Sequence, residues 1–73
     1  MRLMGEFRTS VGSIAIDVGM IKKVERRGDM TSICMDDGEI IQTTMTVAQV
    51  LGVIRRVSEA HEQAMQMRIR AGR

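Results

Sequence analysis

The stretch MTSICMDDGEIIQTTMTVAQV, from Met30 to Val50, changes its pattern twice, and those changes decide the fold. Between Met30 and Met35 the side chains alternate: Thr31, Ile33 and Met35 share one face, and Met30, Ser32 and Cys34 share the other. Asp37-Gly38 then predicts a two-residue hairpin turn of the primed type, because Asp tolerates positive φ and Gly accepts it freely. The chain returns as a second strand over Glu39–Met45, with Ile41, Thr43 and Met45 opposite Ile40, Gln42 and Thr44. At Thr46-Val47-Ala48-Gln49 the period changes. This is a capping-box pattern, in which the Thr hydroxyl accepts from a free amide of the first turn and Gln reaches back. From there the stripe Val47, Val50, Leu51, Ile54, Val57, His61, Ala64, Met65 has helical spacing.

Working towards the N-terminus, Leu3–Arg8, Val11–Ile16 and Met20–Arg26 read as further strands, with Asp17-Val18-Gly19 and Gly28-Asp29 as turns. Ile21 and Val24 stand three apart, which breaks alternation and predicts a bulge or a single helical turn. Towards the C-terminus nothing stops the helix before Gly72. Run to Arg70 it is roughly 36 Å long at ~1.5 Å per residue, whereas strands of this size make a sheet only about 17–20 Å across. The expectation is an α+β fold: a small antiparallel β-sheet of three to five short strands covered on one face by one C-terminal α-helix. Residues 1–60 form the domain, and 61–73 are a helix extension or a disordered basic tail. The expected core sets Val47, Val50, Leu51, Ile54 and Val57 against Ile14, Ile16, Ile21, Val24, Ile33 and Ile41.

Composition removes several function classes. The chain has 73 residues, a single cysteine and a net charge of +2. One cysteine excludes an intramolecular disulfide and a multi-cysteine zinc site. No apolar run approaches the ~20 residues that span a bilayer, and the N-terminus lacks the signal pattern, so a cytoplasmic location without membrane contact is expected. There is one Phe, no Trp or Tyr, and eight Met. The core therefore draws on Ile, Val, Leu and Met. Chains shorter than about 70–80 residues usually need a disulfide, a metal or a partner. Here only association remains.

The individual motifs point away from chemistry. Arg27-Gly28-Asp29 reads as a hairpin turn rather than an adhesion tripeptide, and Asp36-Asp37-Gly38-Glu39 is a fragment of a calcium loop without its later ligands. His61, the one histidine, has no companion ligands or base partner in the pattern. Cys34 reads as a small buried hydrophobe. No catalytic residues, metal ligands or cofactor are expected, and the chain does not read as an enzyme. The polar features that remain are basic: Lys22, Lys23, Arg26 and Arg27 around one strand and its turn, and Arg68, Arg70 and Arg73 beyond the last acid, Glu62. Near that end Met65 continues the apolar stripe while Met67 and Ile69 leave it, so part of the helix end lacks an intramolecular partner. The candidate partner-binding residues are therefore Lys22, Lys23, Arg26, Arg27, His61, Met65, Met67, Arg68, Ile69 and Arg70.

Between Ile14 and Ile54 the order is an apolar strand, the pair Ile21 and Val24, the Thr-x-Ile strand at Thr31 and Ile33, the Asp37-Gly38 turn, a last strand and a helix opening Thr-Val-Ala-Gln-Val. This order resembles the small FlbD-like proteins of bacterial flagellar operons. The resemblance implies bacterial or phage origin, a non-catalytic fold and regulation through a partner. The leading expectation is a small cytoplasmic regulatory protein that binds a larger protein, with the transcription machinery (RNA polymerase) as first candidate. The alternatives are a DNA- or RNA-binding regulator using the basic clusters, and a homo-oligomeric structural subunit. The low net charge and the lack of stacking aromatics weigh against nucleic acid.

Overall fold

Strand β4 (Met30–Met35) is hydrogen-bonded on both sides, to β3 (Ile21–Arg27) and to β5 (Ile40–Thr43), both antiparallel. This computed structural model describes residues 2–71, with side chains through Ala64. The register sets Val24, Ile33 and Ile41 in one cross-strand row, and Ile33 at its centre is fully buried. Three β-branched side chains side by side suit a pleated, half-buried surface.

Local chemistry sets the connections. Gly28, at the first position of the two-residue loop between β3 and β4, has a φ of 59°, and among the described residues none other than glycine has positive φ. The turn between β4 and β5 departs from the sequence expectation. Gly38 has the expected positive φ (91°), but its amide donates to the Met35 carbonyl at 3.0 Å, and the Met35 amide donates to the Glu39 carbonyl at 2.8 Å. The loop therefore holds three residues, Asp36, Asp37 and Gly38, with the glycine as a bulge after an ordinary turn. Asp37 stays at negative φ and uses its carboxylate to accept from the Glu39 amide at 2.9 Å. Of the two irregularities expected at Ile21 and Val24 it is the bulge that occurs, inside β3, where the register slips between Ile21 and Lys23 and leaves Lys22 in it. The turn expected at Asp17-Val18-Gly19 is one 3₁₀ turn, Val18–Met20. Asp17 caps the 3₁₀ turn by accepting from the Gly19 amide at 3.0 Å.

The five strands divide between two sheets. β1 (Met4–Thr9) and β2 (Gly12–Asp17) form a separate two-stranded hairpin. The hairpin is tied to the larger sheet through the Arg8 carbonyl, which accepts from the Thr44 amide at 3.1 Å and from the Thr43 hydroxyl. Thr43 is buried and fully satisfied, since its oxygen also accepts from the Met45 amide at 3.1 Å. Helix α1 (Val47–Ala71) follows and is capped as the sequence predicts. The Gln49 amide donates to Thr46 Oγ1 at 3.1 Å, and the Thr46 amide donates to Gln49 Oε1 at 2.9 Å.

Hairpin, sheet and helix meet in one core of Phe7, Ile16, Val18, Ile33 and Val50, with Val24, Ile41, Val53, Ile54 and Val57 half-buried against it. Two sequence assignments are corrected here. Leu51 is 49% exposed, and Ile14 is 38% exposed at the free edge of β2. The reason is Phe7: the hairpin brings it against α1, so the buried helix stripe is Val50, Val53, Ile54 and Val57, and Leu51 turns outward. Gly5 permits that approach. A Cβ there would stand 3.0 Å from Val18 Cγ1 and 3.1 Å from Val53 Cγ1.

Phe7→Ala should therefore lower stability by about 3–5 kcal/mol, whereas Leu51→Ala should change it by less than about 1 kcal/mol. Denaturant midpoints of the two variants provide the comparison.

Candidate functional site

The basic residues of β3 do not form one patch. Strand alternation places Lys23, Glu25 and Arg27 on one face and Val24 and Arg26 on the other, with Lys22 in the bulge. Glu25 lies between its two basic neighbours. Its carboxylate is 3.7 Å from Lys23 Nζ and 3.0 Å from Arg27 Nη2, and Arg27 Nε donates to Glu25 Oε1 at 3.1 Å. Two of the four cations are thus internally paired at the surface, where such pairs contribute little to stability but lower the local positive field.

Arg26 belongs to a different site. It faces the core side of the sheet in the register row Arg26–Thr31–Thr43, and its Nε donates to the Gly28 carbonyl at 3.0 Å. With Asp29 it stands at a cleft of about 360 Å³ between the β3–β4 turn and the start of α1. Thr31, Thr44, Thr46 and Val47 complete much of the wall. The cleft offers one cation, one carboxylate and several hydroxyls, which suits hydrogen bonding to a polar group. Neither His61 nor Cys34 lines it. A second cleft of about 260 Å³ lies between β1 and α1, with Glu6, Arg8 and Arg56 among its lining.

The remaining sequence candidates are dispersed. Cys34 is buried on β4, as expected for a small hydrophobe. Ser32 on the same face is also buried, and among the described residues its hydroxyl has no hydrogen-bond partner. His61 is half-buried on α1, past the last described helix residue that packs on the core, Val57. The side chains of Met65, Met67, Arg68, Ile69 and Arg70 lie outside the described residues, although the helix backbone runs through them to Ala71. Among the described residues no three His, Cys, Asp or Glu side chains come together as a metal site, and no helix is long and apolar enough to cross a membrane.

Sequence reasoning missed the Arg26 cleft, because its walls come from segments some fifteen residues apart that only the strand register brings together. The signal that could have separated Arg26 from its neighbours is alternation from Val24, which fixes the inward face of β3. Comparison with protein-family models, curated proteins and solved structures gave no match.

Glu25→Gln should leave stability within about 1 kcal/mol of the parent, because both ion pairs are exposed. It should also strengthen retention on a phosphate-bearing cation exchanger, read as a later elution in a salt gradient, since Lys23 and Arg27 are then released.

Proposed function

We propose that this chain is a small, non-catalytic regulatory protein that acts by docking on a larger protein, with the projecting part of α1 as its docking element. The observation that supports this reading is the length of the helix against the extent of the core. α1 has 25 residues, and its packed stripe among the described side chains ends at Val57. From Glu59 to Ala64 only His61 is half-buried, and the others are exposed. An isolated helix of about a dozen residues is marginal in water, and most helical stability in proteins comes from packing of one face. A second surface supplied by another protein accounts for a helix that continues several turns past its own domain.

The resemblance to FlbD-like proteins favours a bacterial or phage regulator. RNA polymerase is the partner to test first, a choice that rests on the class of small bacterial regulators rather than on a motif in the chain. The nucleic-acid reading is weaker, because Glu25 pairs with two of the four basic residues on β3.

The test is capture from nuclease-treated bacterial lysate by the full chain, washed at moderate salt, alongside a chain truncated after Ala60. The reading expects RNA polymerase subunits to be identified on the full chain and lost on the truncated one, whose thermal midpoint stays near that of the parent. Capture that disappears with nuclease, or that survives truncation, would count against it. Nucleic-acid binding would also weaken steeply with salt, through counterion release.

A further inference from the structure

Among the described residues the two sheets end in four strand edges; those of β1 and β5 meet where the Arg8 carbonyl accepts from Thr43 and Thr44, and the outer two, β3 and β2, differ in kind. β3 presents a guarded edge: it carries Lys22, Lys23, Arg26 and Arg27 and is interrupted by a bulge, all features that discourage pairing with another strand. β2 has none of these. From Gly12 to Ile16 it carries no charge and no proline, its register with β1 is unbroken, and Gly12 to Ala15 are exposed. An uncharged, regular, exposed edge is a template for a further strand.

The hairpin geometry shows which groups are unpaired. Thr9 and Gly12 flank a two-residue loop and form a bonded pair, so bonded pairs recur at Phe7–Ile14 and Gly5–Ile16. The amides and carbonyls of Ser13 and Ala15 therefore point away from β1, and among the described residues they make no other backbone hydrogen bond. Ile14 shares the core face with Phe7, yet it remains 38% exposed where that face ends at the edge.

We propose that β2 pairs with β2 of a second copy of this chain, antiparallel about a twofold axis beside Ile14. In that register Ser13 of one copy and Ala15 of the other exchange both of their outward hydrogen bonds, and the same pair repeats across the axis. Ile14 meets Ile14 of the second copy in the close, non-bonded position, which extends the apolar row Phe7–Ile14 across the interface. On the opposite face, Glu6 lies beside Ala15 and Arg8 beside Ser13. The twofold axis therefore sets Glu6 of one copy and Arg8 of the other in the same row, separated by the small residues Ala15 and Ser13. The self-matching apolar row, together with outward hydrogen-bonding groups that pair only with their own kind across the axis, makes a second copy the occupant that fits the edge. The result is a continuous four-stranded sheet that covers the uncovered part of the core.

Analytical ultracentrifugation of the full chain over a concentration series tests the pairing. The expected result is a concentration-dependent rise in mass from 8.2 kDa to twice that value. Ala15→Pro removes an outward amide while leaving the β1–β2 ladder bonds, and Ile14→Lys places a charge at the axis. Each should abolish the rise or shift it to at least tenfold higher concentration, with far-UV circular dichroism unchanged. A cross-linking arm does not depend on the stability of those variants. Ile14→Cys should form an intermolecular disulfide on mild oxidation, whereas Ile40→Cys on the other sheet should not. A parent that stays at 8.2 kDa throughout would overturn the proposal. So would an Ile14→Cys chain that cross-links no faster than Ile40→Cys.

Discussion

Everything in this fold depends on the packing of Phe7 and Ile33 against Val50 of the helix. A two-stranded hairpin is marginal by itself, and a three-stranded sheet with one apolar face needs something laid on that face. α1 performs both tasks at once. Its buried stripe covers the row Val24–Ile33–Ile41 and meets the single aromatic residue of the chain, carried by β1. The Arg8 carbonyl, bonded to Thr43 and Thr44, then fixes the hairpin against the end of β5. Hairpin, sheet and helix thus share one small core, and none of the three has a separate one.

The smallness of that core explains the rest of the molecule. Five residues are buried in the apolar cluster, and among the described side chains the last of the helix to pack on it is Val57. Apolar surface that cannot be covered from within remains at Leu51 and at Ile14 on the free strand. Both positions leave apolar side chains open to solvent. A protein too small to complete its own burial gains stability from association, so that binding and folding draw on the same surfaces.

Much of the secondary structure was legible because local chemistry acts alone there. The alternation through Met30–Met35, the Gly28 turn and the reciprocal Thr46–Gln49 cap each depend on a few adjacent residues. What was not legible needed the tertiary partner. Leu51 and Val53 are almost equally apolar, and only Phe7, carried by β1 at the far end of the sequence, decides which of them turns inward. The Asp37-Gly38 turn has the right glycine conformation in the wrong loop length, since its register is fixed by the Met35–Glu39 bond rather than by the dipeptide. The basic cluster likewise dissolves once alternation assigns Arg26 to one face and Lys23 and Arg27 to the other.

Native-state amide hydrogen exchange measures directly whether the three parts share one core. If they do, the bonded amides of Phe7 in the hairpin, Ile33 in the central strand and Ile54 in the helix exchange through the same cooperative opening. Their opening free energies are then equal, and close to the global stability. A Phe7 amide that exchanges through a much cheaper opening, while Ile33 and Ile54 stay protected, would contradict the account: the hairpin would then be an appendage rather than part of the core.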